Sequence, residues 1–136
     1  MVIDTSAIAA ILFGEPESDA FLRVIVTDET RLIGAPTRVE AGIVVEARKG
    51  ELGRSALERL LREADVETVP FDDELVELAL EAWRRFGKGR HVAGLDFGDC
   101  FAYALSVARE EPLLFKGDDF SLTDVSVASG VEPPPA

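Results

Sequence analysis

Asp4, Glu40, Asp99 and the adjacent pair Asp118 and Asp119 are the side chains of this 136-residue chain whose type and spacing could do chemistry. They are distant in sequence, yet an open α/β sheet would gather them. Ligands of such sheets bind beyond the carboxyl ends of the strands. Asp4 follows the apolar pair Val2 and Ile3, and Asp118 and Asp119 follow the apolar run 113–115 and a Lys-Gly turn. Asp99 opens the most apolar helical stretch of the chain, 98–109. Glu40 would face the same end of the sheet from a helix. Gathered carboxylates repel and raise one another's pKa values, and a hard divalent cation relieves that repulsion. With one histidine (His91) and one cysteine (Cys100) in the chain, an oxygen-only donor set points to Mg²⁺ or Mn²⁺ rather than zinc. Such ions serve phosphoryl and phosphodiester chemistry by activating water and neutralising charge on the phosphate and the leaving oxygen.

Each acid also has a plainer reading. Asp4 can cap a helix that starts near Thr5 and Ser6. Asp99 can complement a helix macrodipole from the first turn. Asp118 and Asp119 can belong to a solvated turn after a glycine. Glu40 is harder to explain away. At about 100° per residue from Pro36, Val39, Ile43, Val44 and Ala47 centre on one face, which is expected to be buried, and Glu40 falls within it. A carboxylate there costs several kcal/mol unless it is paired or bound to metal.

The elements that must hold these groups alternate between short apolar runs and amphipathic segments, a pattern of α/β class with a mostly parallel sheet. Strands are expected at 1–4, 31–34, 66–69 and 113–115, with a weak one at 125–127. Helices are expected at 6–13, 17–28, 36–49, 54–64, 72–86 and 98–109, with a turn at 118–122. Pro36 suits a helical first turn, and Gly50 should stop that helix. In 54–64, Ala56, Leu57, Leu60, Leu61 and Ala64 form one stripe, with Glu58 and Arg62 paired outside it. In 72–86 the stripe is Leu75, Ala79, Ala82, Trp83 and Phe86, so Trp83 suits core packing or a subunit contact better than base stacking.

Hydrophobic residues make up 47% of the chain, too many for disorder. One cysteine excludes an internal disulfide. The N-terminus has an acid at position 4 and no basic run, and no apolar stretch approaches a membrane span, so a soluble, cytoplasmic protein is expected. The net charge of −12 is the wrong sign for holding nucleic acid by charge alone. One basic island, Arg84-Arg85-Phe86-Gly87-Lys88-Gly89-Arg90-His91, stands against it. Arg84, Arg85, Lys88 and Arg90 can guide a polyanion toward a metal site, or equally form the solvated end of a helix. Cys100, among apolar residues, reads as an inert core thiol, and there is no phosphate-binding glycine loop.

The segments Val2-Ile3-Asp4-Thr5-Ser6-Ala7, Pro36-Thr37-Arg38-Val39-Glu40, Leu95-Asp96-Phe97-Gly98-Asp99-Cys100-Phe101-Ala102-Tyr103-Ala104 and Leu113-Leu114-Phe115-Lys116-Gly117-Asp118-Asp119-Phe120 together resemble PIN-domain proteins, in particular VapC-type ribonuclease toxins of prokaryotic toxin–antitoxin pairs. The resemblance implies a three-layer α/β/α sandwich around a central, mostly parallel sheet. One PIN-like nuclease domain would span 1–129, followed by a flexible proline-rich tail at 130–136. It also implies a Mg²⁺- or Mn²⁺-dependent endoribonuclease acting on RNA, neutralised by a VapB-like antitoxin. The expected assembly is a homodimer, and with the antitoxin a dimer of heterodimers. The family's acidic set carries over to Asp4, Glu40 and Asp99 as catalytic metal ligands, with Ser6 supporting Asp4. The fourth acid is Asp119, which directly precedes Phe120, or Asp118, because the Phe-Lys-Gly-Asp-Asp-Phe run lacks the threonine opening of many relatives. Competing readings are a haloacid-dehalogenase-like phosphatase, which needs an aspartate where Ser6 stands, a receiver-like module, which lacks a suitably placed acceptor aspartate after 66–69 other than Asp72, and a metal-free PIN-like interaction module.

Overall fold

Alternation of side chains along three very short strands organises the molecule. In the computed structural model, which describes residues 1–128, β1 (Val2–Ile3), β2 (Leu32–Gly34), β3 (Glu67–Val69) and β4 (Leu113–Leu114) form one parallel sheet in the order β3-β2-β1-β4. Val2 pairs with Leu32 on one side and Leu113 on the other. Neighbours within a strand point to opposite faces, so β1, β2 and β4 each feed two cores. Ile3, Ile33 and Leu114 pack with α1 (Thr5–Leu12), α2 (Ser18–Thr27) and α3 (Ala35–Glu63). Val2, Leu32 and Leu113 pack with α4 (Asp73–Phe86) and α5 (Phe97–Arg109). The result is the expected three-layer α/β/α arrangement. The chain leaves β1 toward β2 and returns through α5 to β4 on β1's other side. Strand order therefore switches direction at β1, and a crevice opens at the carboxyl ends of β1 and β4.

Most element boundaries fall within a residue or two of those expected. The stop expected at Gly50 is a kink inside α3: Gly50 adopts φ 61° and ψ −145°, a conformation open to glycine, and the helix resumes at once. The strand expected at 125–127 is reduced to one parallel bridge, Leu113 to Val127. The turn after β4 is a short 3₁₀ helix, Phe120–Leu122. The tail expected at 130–136 lies outside the described residues.

Three packing expectations are corrected. The face of α3 turned to the core is Thr37, Ala41 and Val45, whereas Val39 and Ile43 are more than 60% exposed and Val44 and Ala47 also face outward. Close approach of α1 selects small side chains on the inner face and leaves the bulkier aliphatics outside, the reverse of what apolar bulk suggests. Glu58 pairs with Arg38 (3.1 Å) instead of Arg62, because the Gly50 kink folds the second arm of α3 back on the first. Trp83 lies at the edge of its stripe and is 47% exposed.

Candidate active site

Asp4 ends β1 and caps α1. Its Oδ2 accepts the Ser6 backbone N–H (3.0 Å) and the Ser6 hydroxyl (2.6 Å). The carboxylate is buried, with 3% exposure, and Oδ1 has no hydrogen-bond partner. A buried carboxylate oxygen without a donor is costly. Burial pushes the Asp4 pKa up to about 6 and the Glu40 charge adds to that, against the lowering effect of the Ser6 hydrogen bonds. One Asp4 oxygen thus caps the helix, as the capping reading expects, and the other is left without a donor.

Asp99 combines roles in the same way. Asp96 and Asp99 form a capping box at the start of α5: Asp96 Oδ1 accepts the Asp99 N–H (2.9 Å) and Asp99 Oδ2 accepts the Asp96 N–H (3.0 Å). The Asp99 pKa rises to about 8. Burial is the largest cause, and the charges of Asp96, Asp4 and Asp119 add to it. Two acids perturbed upward in one cleft make that cleft the candidate functional site.

Glu40 reaches the crevice from α3, by a route other than the expected one. It lies on no buried stripe. Its carboxylate rests directly against the backbone of α5 at Gly98, where a Cβ would stand 2.6 Å from the carboxyl carbon and from Oε1. Thr5 donates its hydroxyl to Glu40 Oε1 (2.5 Å).

Asp4, Thr5, Ser6, Glu40, Val44, Asp96, Asp99, Lys116, Asp119 and Phe120 line one cavity of about 250 Å³ at the switch point of the sheet. Of the two adjacent late acids, Asp119 lines it and Asp118 does not. Residues 116–124 are held at both ends. The Lys116 N–H donates to Ser6 Oγ (2.9 Å), Asp124 accepts the Tyr103 hydroxyl (2.7 Å) and an Arg85 N–H (3.4 Å), and Phe120 is buried between them.

The basic island does not reach this cavity. Arg84 pairs with Glu81 (3.3 Å), Arg85 with Asp124, and the Arg90 guanidinium stacks 4.6 Å from the Trp83 ring centroid. Lys88 borders a separate apolar groove of about 650 Å³ between α4 and α5, lined by Phe71, Leu80, Trp83, Phe97 and Phe101 among others. Asp96 borders both cavities. Sequence reasoning missed Thr5, Asp96 and Lys116, although the strand-end rule that found Asp4 and Asp119 also covers Thr5 and Lys116. Cys100 is buried and its thiol pKa is pushed up to about 11, first by burial and then by Asp99 and Asp96, in keeping with an inert core thiol.

The donor set suits a hard cation: five carboxylates (Asp4, Glu40, Asp96, Asp99 and Asp119), two hydroxyls, and an Asp4 Oδ1 that no protein group satisfies. Among the described residues no three His, Cys, Asp or Glu side chains form a ready-made metal cage. Mg²⁺ does not need one, because it is held by one or two carboxylates and retains waters that substrate phosphates can replace. The residues therefore fit.

The PIN domain profile matches residues 1–125. This chain belongs to the PIN domain family. Its PIN domain is 46% identical over 126 residues to a protein of Mycolicibacterium smegmatis named Ribonuclease VapC, covering 93% of this chain and 98% of that one. It is 43% identical over 129 residues to Ribonuclease VapC30 of Mycobacterium tuberculosis, covering 95% and 98%. The PIN fold of the crystal structure of M. tuberculosis VapC20, described as a sarcin-ricin loop cleaving toxin, superposes with a TM-score of 0.73 at 18% identity over 91% of this chain and 95% of that one. The expected VapC-type resemblance thus holds along nearly the whole PIN domain, and with it the expected fold.

Proposed function

We propose that this chain is a divalent-metal-dependent endoribonuclease, the toxin of a type II toxin–antitoxin pair neutralised by a VapB-like antitoxin. The observation that carries this reading is the convergence of Asp4, Glu40, Asp99 and Asp119, from four separate segments, on one cavity with a free buried oxygen on Asp4. Asp4 and Asp99 would hold Mg²⁺ or Mn²⁺, with Glu40 and Asp119 completing the acidic shell. The bound ion lowers the pKa of water and neutralises charge on the scissile phosphate. The chain's own residues do the positioning. Ser6 fixes one Asp4 oxygen and leaves the other without a protein donor. Asp96 fixes Asp99 through the capping box. Thr5 and the open space at Gly98 hold the Glu40 carboxylate inward. Without a cation these acids repel RNA, so metal and substrate phosphate enter as a charge-compensated set.

Asp4→Asn and Asp99→Asn are each expected to abolish cleavage of RNA in Mg²⁺ while far-ultraviolet circular dichroism stays native. Cleavage at wild-type rate by either purified variant would refute the proposal. The reading extends to assembly. Val76, Leu80, Trp83 and Phe97 are exposed along the α4–α5 groove, a contiguous apolar surface suited to a second copy of the chain. Val39 and Ile43 on α3, beside cavity-lining Val44, offer apolar anchorage for an antitoxin segment at the cavity mouth. No helix among the described residues is long and apolar enough to cross a membrane, which accords with a cytoplasmic toxin.

A further inference from the structure

Lys116 is the one cation among the described residues lining the acidic cavity, and its surroundings are unusual for a loop lysine. Its backbone is fixed at the site, because its N–H donates to Ser6 Oγ and Ser6 in turn donates to Asp4 Oδ2. Its ammonium is paired with two carboxylates outside the cavity lining, Glu15 and Glu17 (3.0 Å) from the turn between α1 and α2. All three side chains are about one-third exposed, so water competes for the Glu15 half of the tie, while the Glu17 oxygen facing the ammonium is itself buried. Of the other basic candidates, Arg84 is engaged with Glu81, Arg85 with Asp124 and Arg90 over Trp83, and Lys88 borders the α4–α5 groove rather than the acidic cavity.

We infer that Lys116 is a substrate-positioning residue whose ammonium leaves Glu15 and Glu17 to bind an RNA phosphate at the rim of the cavity. The inference rests on the nuclease reading above and deepens it. A phosphate entering the cavity meets five carboxylates, and a divalent ion compensates only part of that charge. A lysine anchored at the rim by its backbone supplies a further positive charge within reach of a neighbouring phosphate and needs no rearrangement of the site. Glu15 and Glu17 keep the ammonium off Asp4 and Asp119 until RNA offers a stronger anionic partner. Their carboxylates set a threshold for binding without touching the substrate.

The test measures binding of a short mixed-sequence, fluorescein-labelled single-stranded RNA by anisotropy in Mg²⁺. It uses the full chain in an Asp99→Asn background, so that no cleavage intervenes. Lys116→Met is expected to weaken binding about tenfold and to reduce the salt slope by about 0.7, the share of one phosphate contact on a single strand. Lys116→Arg should restore affinity to within about twofold of the parent. Glu15→Gln with Glu17→Gln should tighten binding a few-fold, and that gain should vanish when combined with Lys116→Met. A purely structural tie predicts that removing the glutamates weakens binding as removing the lysine does. That outcome, an unchanged salt slope in Lys116→Met, a glutamate effect that persists without the lysine, or no RNA binding by the parent would each overturn the inference. The nuclease reading is judged separately by metal-dependent cleavage with the unsubstituted chain against Asp4→Asn. That reading can fail while the binding series still reports on Lys116.

Discussion

Replacing Gly98 with alanine separates activity from stability in a way the packing makes quantitative. A Cβ at 98 would stand 2.6 Å from the Glu40 carboxyl carbon, while ordinary carbon contacts lie near about 3.5–4.0 Å. The carboxylate must therefore withdraw by about 1 Å, and a misplacement of that size in a reacting constellation costs on the order of 100-fold in rate, or about 2.7 kcal/mol of barrier. The fold should tolerate the change. Glu40 is the far end of a flexible side chain and swings outward. The lost Thr5 hydrogen bond, about 1–2 kcal/mol for a partly exposed charged acceptor, is partly offset by the roughly 0.5–1 kcal/mol that alanine gains over glycine in a helix. The assay is steady-state cleavage of RNA in Mg²⁺ beside a thermal melt. The expected result is a kcat/KM about 100-fold lower with a melting temperature shifted by only a few degrees. If the effect runs through Glu40, adding Gly98→Ala to Glu40→Ala should cost little more. Wild-type activity in Gly98→Ala, or a full second loss in the double variant, would refute the reasoning.

Two further outcomes follow from the same geometry. The metal-free protein should lose stability as pH rises from about 4 to about 8: the folded-state pKa values of Asp4 and Asp99 are raised from 3.8 to about 6 and about 8, so the unfolded chain releases those protons first. Asp4 alone accounts for about 3 kcal/mol of that loss, so Mn²⁺ should raise the melting temperature more at pH 8 than at pH 5, and less in Asp4→Asn; a Mn²⁺ effect equal at both pH values would contradict this. Leu80→Glu, in the α4–α5 groove, should convert a dimer to monomer in light scattering while each chain stays folded, and a persistent dimer would move the subunit contact elsewhere.

Much of this site was legible because parallel strands deliver their C-terminal residues to one edge. Asp4 stands immediately beyond an apolar run and Asp119 a short turn beyond another, and Asp99 opens a helix too apolar to lie anywhere but against the sheet. Glu40 was found by an argument whose premise fails, because Val39, Ile43 and Val44 face outward. Its real determinant, the bare backbone at Gly98, is a contact between distant segments that no periodicity encodes. The choice between Asp118 and Asp119 turned on the path of a loop fixed by Tyr103 and Ser6, again a tertiary effect. Lys116 looked like part of an ordinary Lys-Gly turn. Its place at the cavity depends on the partnership with Ser6, 110 residues away in sequence.

The double anchoring of residues 116–124 opens a route to watching this protein at work. Leu122 sits half exposed on that strap and outside the acidic cavity, and the single native thiol, Cys100, is buried and reluctant to ionise. A dye attached through Leu122→Cys would therefore label one position cleanly. Tethered three residues from Asp119, it would brighten or dim as cations and oligonucleotides arrive, giving a real-time optical readout that leaves every cavity-lining side chain intact.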